Sequence, residues 1–207
     1  MQATGVMAEP AALPTVVRSP MLEVAATMAA LAGVRRGHRV VDIGCGLGLA
    51  SLPAAAATGP TGVVVAFDAQ PALLAAARRR DRLGTVRWVQ AALPALPLRS
   101  GWADRAVSML RVGTVEEHAG VFAEAARVLG LGGRLVVSVL GGVSRSTPGA
   151  AADTGDEIDP HGLQRLLRGA GLTVMHTCES DLAGTDVAES AAGAVRRVHY
   201  AVASRDR

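Results

Sequence analysis

The chain has 207 residues, 50% hydrophobic and 19% charged, with a formal net charge of +3; this suits one domain with a full core, and excludes a disordered chain. All 21 basic residues are arginine and no lysine occurs, which excludes lysine Schiff-base chemistry and a lysine-bearing P-loop. Two cysteines, Cys45 and Cys178, cannot build a disulfide framework or a four-ligand zinc site, and two Phe, two Trp and one Tyr offer little on which nucleic-acid bases could stack.

Residues 1–18 are rich in Ala and Pro and lack the basic and apolar halves of a secretory signal. They read as a flexible leader before a single domain over 19–207, with the cytoplasm as the default location. No unbroken apolar run is long enough for a membrane span. Ser19 as N-cap and Pro20 at the first helical position predict a helix to Ala32, with Met21, Val24, Ala25, Met28 and Leu31 at helical spacing. Arg39–Ile43 reads as a buried strand, stopped by Gly44-Cys45-Gly46-Leu47-Gly48. An alanine-rich helix then runs to about Thr58, and Pro53 within it predicts a kink or a late start. Gly62–Phe67 is a second strand ending at Asp68, Pro71–Arg82 a helix, and Thr85–Val89 a third strand. Asp104–Leu110 is a fourth strand, Glu116–Leu129 a helix and Arg134–Leu140 a fifth strand. Gly141–Asp159 reads as a mobile loop, Pro160–Gly169 as a helix, and Leu172–Thr177 and Arg197–Ala203 as two last strands. Strands alternating with helices predict an α/β fold with a parallel sheet covered on both faces.

The glycine loop is the chemical centre of this pattern. Its glycines let backbone approach a ligand closely, and the next helix aims N–H groups at it. Leu49 stands where the dinucleotide fingerprint needs a small residue, and Asp42 is foreign to that fingerprint. A carboxylate there favours a cationic ligand over a pyrophosphate. Asp68, 24 residues after Gly44, is placed to accept hydrogen bonds from a ribose diol, or to serve as a turn residue before Pro71.

These residues resemble the class I S-adenosylmethionine-dependent methyltransferases. Val40-Val41-Asp42-Ile43-Gly44-Cys45-Gly46-Leu47-Gly48 resembles that family's first motif, and Val65-Ala66-Phe67-Asp68 its ribose-binding strand end. Leu96-Pro97-Leu98 with Ala103-Asp104 resembles the entry to strand four. Arg127-Val128-Leu129-Gly130-Leu131-Gly132-Gly133 resembles the turn before strand five, and Leu163–Val174 the late helix and Ala-Gly turn. The resemblance runs from about residue 20 to 204 and is nearest to the small-molecule branch, which includes quinone-biosynthesis and natural-product enzymes. It implies a Rossmann-like doubly wound sheet of order 3-2-1-4-5-7-6 with strand 7 antiparallel. It also implies S-adenosylmethionine as cofactor, held by Asp42, Gly44, Cys45, Gly46, Gly48, Asp68, Ala69, Ala91, Ala92, Leu93 and Leu110. The sequence departs from the family in three places: Ala92 stands where an acid often faces the adenine amino group, Leu131 replaces a proline, and Ala103 replaces an aromatic residue.

Methyl transfer is an in-line displacement that needs positioning above all, and a base only where the acceptor must lose a proton early. His118 is the candidate base and Arg111 a candidate partner for an acidic acceptor. Thr114 with Glu116 and Glu117 reads equally as a helix cap with acids in its first turn. His38, His161, His176 and His199 carry weaker signals, and no spacing suggests a metal. Arg78-Arg79-Arg80 with Arg82 reads as a solvated face, so nucleic acid is not the expected partner. The expected function is methyl transfer to a small organic acceptor, as in quinone or natural-product biosynthesis. The alternative is a methyltransferase fold that binds the cofactor without methylating, as a cyclisation or rearrangement catalyst or a non-catalytic partner. Methylation of RNA or protein is a third reading. Pro14–Ala32 and Gly141–Asp159 are the expected specificity elements, which predicts an open pocket or one completed by a second copy.

Overall fold

Seven strands make one sheet of order β3-β2-β1-β4-β5-β7-β6. The computed structural model describes residues 20–110, 115–140, 159–181 and 197–206. The leader, Arg111–Thr114 and all but the last residue of the expected mobile loop lie outside the described residues. In chain order the elements are α1 (Pro20–Ala32), β1 (Arg39–Ile43), α2 (Ser51–Thr58), β2 (Val63–Asp68), α3 (Pro71–Arg80), β3 (Val86–Gln90), β4 (Ala103–Leu110), α4 (Val115–Val128), β5 (Leu129–Leu140), α5 (Pro160–Gly169), β6 (Thr173–Asp181) and β7 (Arg197–Ser204). Strands β1 to β5 pair in parallel, and β7 lies antiparallel between β5 and β6.

Side chains alternate across each strand, so β1 feeds cores on both faces. Val41 and Ile43 join Phe67, Phe122, Leu163 and Leu167 beneath α4 and α5. Val40 joins Val64, Leu74 and Val86 beneath α2 and α3. On that same face α1 inserts Val24, Ala25 and Met28 against Val107, Val136 and Tyr200.

Pro53 marks a late start rather than a kink. Helix α2 begins only at Ser51, which places the proline in the first turn, where its missing N–H has no intrahelical partner to lose. Helix α5 begins at Pro160 with Asp159 as its cap, accepting from the Gly162 amide. Strand β5 starts earlier than Arg134: Leu129 pairs with Ala103 before an irregularity, and regular pairing resumes at Arg105 and Arg134. Strand β6 also runs longer than expected, because its pairing with β7 continues to Asp181. The chain between β3 and β4 contains no helix. Leu96 there is 4% exposed and packs into the α4 core, and two α4 side chains hold the segment. Glu124 accepts from the Leu96 amide at 2.6 Å, and Arg127 donates to Leu96 O at 3.0 Å and Leu98 O at 2.7 Å.

Candidate cofactor site

The parallel sheet places the carboxyl ends of β1 and β2 side by side, and the glycine loop turns there. The amides of Gly44 and Cys45 both donate to Phe67 O at 2.9 Å, tying the loop to the tip of β2. The Gly46 amide donates to Asp68 Oδ2 at 2.8 Å, and the Gln70 amide to Asp68 Oδ1 at 2.9 Å. One carboxylate thus ties the loop to the turn after β2. Each oxygen keeps further acceptor capacity.

Two glycines of the loop hold left-handed backbone against neighbouring side chains, and Gly48 is also required by close approach. Gly48 has φ +77, and a Cβ there would lie 2.4 Å from Trp88 Cη2. Gly44 has φ +74, and a Cβ there would lie 3.4 Å from Leu93 Cδ1. The loop therefore packs on side chains from β3 and from the segment after it.

Asp42 lies at the base of the loop and is 1% exposed. Ser51 Oγ, at the start of α2, donates to its Oδ2 at 2.5 Å, while Oδ1 has no hydrogen-bond partner. Burial pushes this carboxyl up to about 7; the nearby Asp68 charge adds to the rise and the Ser51 hydrogen bond opposes it. The buried Cys45 thiol is pushed up by burial and then by the charges of Asp42 and Asp68, so it stays protonated and is a poor nucleophile. On the β4 side, Ser108 Oγ donates to Ile43 O at 2.7 Å and anchors the end of β1. Sequence reasoning missed Ser51 and Ser108. Serine at the first turn of the helix after the loop is the one signal that could have pointed to Ser51.

Ala69, Ala91, Ala92 and Leu93 gather where β2 and β3 end. The Asp68–Gln90 register sets the two tips side by side. The Ala91 amide donates to Asp68 O at 3.2 Å, and Gln90 Nε2 donates to Ala69 O at 3.2 Å. Ala92 is exposed and presents no acid. Leu110 ends β4 opposite Val139.

His118 lies in α4, buried, with its ring stacked on Phe122 at a centroid distance of 6.3 Å. Glu116 and Glu117 fall in the first turn of α4, while Arg111 and Thr114 are outside the described residues. The other histidines lie elsewhere. His38 Nδ1 accepts from the Arg35 amide at 3.1 Å, and His161 and His176 are exposed. His199 meets Glu179 at 3.0 Å, where Pro160, Leu163, Thr177 and Tyr200 help line a small open cavity. That cavity sits three to four strands from β1, roughly 14–19 Å at ordinary strand spacing, so it is not part of the glycine-loop site. Among the described residues no three His, Cys, Asp or Glu side chains gather to hold a metal.

Residues 40–133 match the model of a family described as a methyltransferase domain. A ubiquinone/menaquinone biosynthesis C-methyltransferase from Erwinia tasmaniensis is 36% identical over 109 residues, covering 51% of this chain and 43% of that protein. An uncharacterised protein of Mycobacterium tuberculosis is 36% identical over 105 residues, covering 50% of this chain and 37% of its own length. The chain thus spans less than half the length of these curated relatives. Among solved structures, geranyl diphosphate C-methyltransferase from Streptomyces coelicolor superposes with a TM-score of 0.67 at 19% identity, covering 88% of this chain and 77% of that one. The (4+2) cyclase SpnF superposes with a TM-score of 0.65 at 19% identity, covering 89% and 81%. At such identities these two likenesses establish the fold.

Proposed function

We propose that the chain is a class I S-adenosylmethionine-dependent methyltransferase, a reading supported by the family match and the methyltransferase relatives, and that it moves a methyl group from that cofactor to a small, apolar organic acceptor. The observation that carries this reading is the Asp68–Gly46 hydrogen bond. It presents a carboxylate and a glycine loop to one ligand, with a second, buried acid beneath the loop. The orphaned Asp42 Oδ1 fits a ligand with a cationic end. The loop of Gly44, Cys45, Gly46 and Gly48, half-buried at Gly44 and Gly46, suits the methionine part. Asp68 suits the ribose hydroxyls, with charge-assisted bonds worth about 1.5–3 kcal/mol each. Ala69, Ala91, Ala92 and Leu93 suit the flat adenine, and Leu110, at the end of β4, is assigned to the same site.

Bound there, the cofactor supplies a sulfonium methyl group open to in-line attack. The protein's share is to hold the acceptor in line and keep water away. His118 is the side chain we assign to taking a proton from an acidic acceptor hydroxyl or carbon, and Arg111 to steering an anionic acceptor. A quinol-like or prenyl-like acceptor agrees with the names of the relatives. A second copy completing the acceptor pocket, and action in the cytoplasm, belong to the same reading.

One observation favours a second reading. The side chain at Ala92 offers the adenine no acid, which would suit a cofactor bound as scaffold and never consumed. Incubation with trideuteromethyl-labelled S-adenosylmethionine and a panel of quinols, prenyl compounds and polyketides separates the two. The proposal expects one product heavier by a labelled methyl, with matching S-adenosylhomocysteine. A rearranged product formed while the labelled cofactor is fully recovered would contradict it.

A further inference from the structure

Asp42 is a buried acid with half of its acceptor capacity unfilled. Ser51 serves Oδ2, and nothing serves Oδ1. An ionised carboxylate in that state is unfavourable, because burial removes water and only Ser51, through its hydroxyl and more weakly its amide, replaces it. The groups that face it are few. From β2 comes Asp68, a like charge, and from the loop comes the Cys45 thiol, kept protonated by burial. From α2 comes the neutral Ser51 hydroxyl, while the β4 hydroxyl of Ser108 is turned to Ile43 O. Among the described residues that set its charge there is no cation. The ligand-free protein therefore holds Asp42 largely as the acid below neutrality.

We propose that Ser51 is a positioning residue for Asp42, and that a cationic ligand entering the glycine loop expels one proton from Asp42 to solvent. The inference rests on the cofactor reading above, since S-adenosylmethionine would bring a sulfonium and an ammonium. No bond to the ligand forms. The carboxyl O–H breaks, its electron pair stays on Asp42, and buffer takes the proton. The Ser51 hydrogen bond then becomes charge-assisted and strengthens, so Ser51 favours the bound state more than the free one. The site thereby gains a counter-charge only when a cation is present to use it.

Calorimetry of S-adenosylmethionine binding near pH 7, in two buffers of different ionisation enthalpy, tests this. In the wild type the heats should differ by the release of a large fraction of one proton. Affinity should fall by up to about tenfold per pH unit below neutrality and level off above it. Asp42→Asn should remove the part of the buffer dependence that is not the ligand's own amine titration. Ser51→Ala should lose about tenfold in affinity near pH 6.5 and recover to within about threefold of wild type near pH 8, because alkaline pH ionises Asp42 without help. Binding whose heats and pH profile match those of Asp42→Asn, or a Ser51→Ala loss equal at every pH, would overturn the inference and leave the cofactor reading standing. No binding at any pH would overturn both.

Discussion

Gly46 and Gly48 share a left-handed backbone yet answer to different constraints. A Cβ on Gly46 meets nothing within 4 Å, whereas one on Gly48 meets Trp88 Cη2 at 2.4 Å. The indole cannot easily retreat, because its Nε1 donates to Asp81 Oδ2 at 3.2 Å. Gly46→Ala should therefore cost only the left-handed penalty, ~1–2 kcal/mol. Gly48→Ala should add an overpacking cost and reach ~2–4 kcal/mol. Urea midpoints of the two variants measure the difference, and equal midpoints would contradict the packing account. At this scale the sequence displayed its backbone-bound chemistry well. Glycines at 44, 46 and 48, an acid before them and an acid at the end of the next strand were all readable, because turn chemistry is local. Ser108 was not readable, and Ser51 showed only by its place in the first turn after the loop. Each hydroxyl is defined by what it meets, at sequence separations of 9 and 65 residues, and serine is too common for spacing alone to single it out.

At the scale of elements, α4 does more than cover the sheet. Its Glu124–Arg127 pair, at 2.6 Å, clamps the helix-free chain between β3 and β4 through Leu96 and Leu98. That segment begins with Ala91, Ala92 and Leu93, so the clamp also steadies one wall of the candidate site. The Arg127 side chain is about a third exposed, which weakens its ion pair through solvent, yet its carbonyl bonds remain. Arg127→Ala should destabilise the fold by ~1–3 kcal/mol and speed amide exchange at Leu96 and Leu98. Unchanged exchange at those two amides would show that the clamp is idle. Strand and helix order were legible throughout because the period of apolar residues switches with each element. Boundaries slipped where pairing, not pattern, decides them. Strand β5 gained Leu129 through its pairing with Ala103, and β6 ran on to Asp181 because its pairing with β7 continues to Arg197.

For the whole molecule, acid–base behaviour follows from two opposed sets of carboxyls. The Arg39 guanidinium holds Asp104 below its ordinary range, and Arg127 does the same for Glu124. Asp81 is also lowered: burial works against this, but hydrogen bonds from Thr85, Val86 and Trp88 outweigh it. These three contribute stability that is present above their ordinary values and lost as pH falls through their folded ones. Asp42 acts the other way. Its folded value near 7 stands above the ordinary 3.8, so the native state holds a proton that the unfolded chain has given up. Its contribution is therefore lost as pH rises through that window, at up to ~1.4 kcal/mol per pH unit. The ligand-free wild type should lose stability between about pH 5, above the range where the lowered carboxyls titrate, and about pH 7, and level off beyond it, and Asp42→Asn should flatten that decline. Denaturation midpoints across the range decide it, and parallel profiles for the two proteins would contradict the assignment.

The central claim is that the loop from Gly44 to Gly48 and the carboxylate of Asp68 form one S-adenosylmethionine site. Calorimetric titration of S-adenosylmethionine and S-adenosylhomocysteine into the wild type and into Asp68→Asn tests it most directly. The account predicts micromolar binding of both ligands by the wild type, weakened at least about tenfold in the variant by loss of charge-assisted bonds. Absence of binding up to millimolar ligand, or equal affinity in the variant, would contradict it.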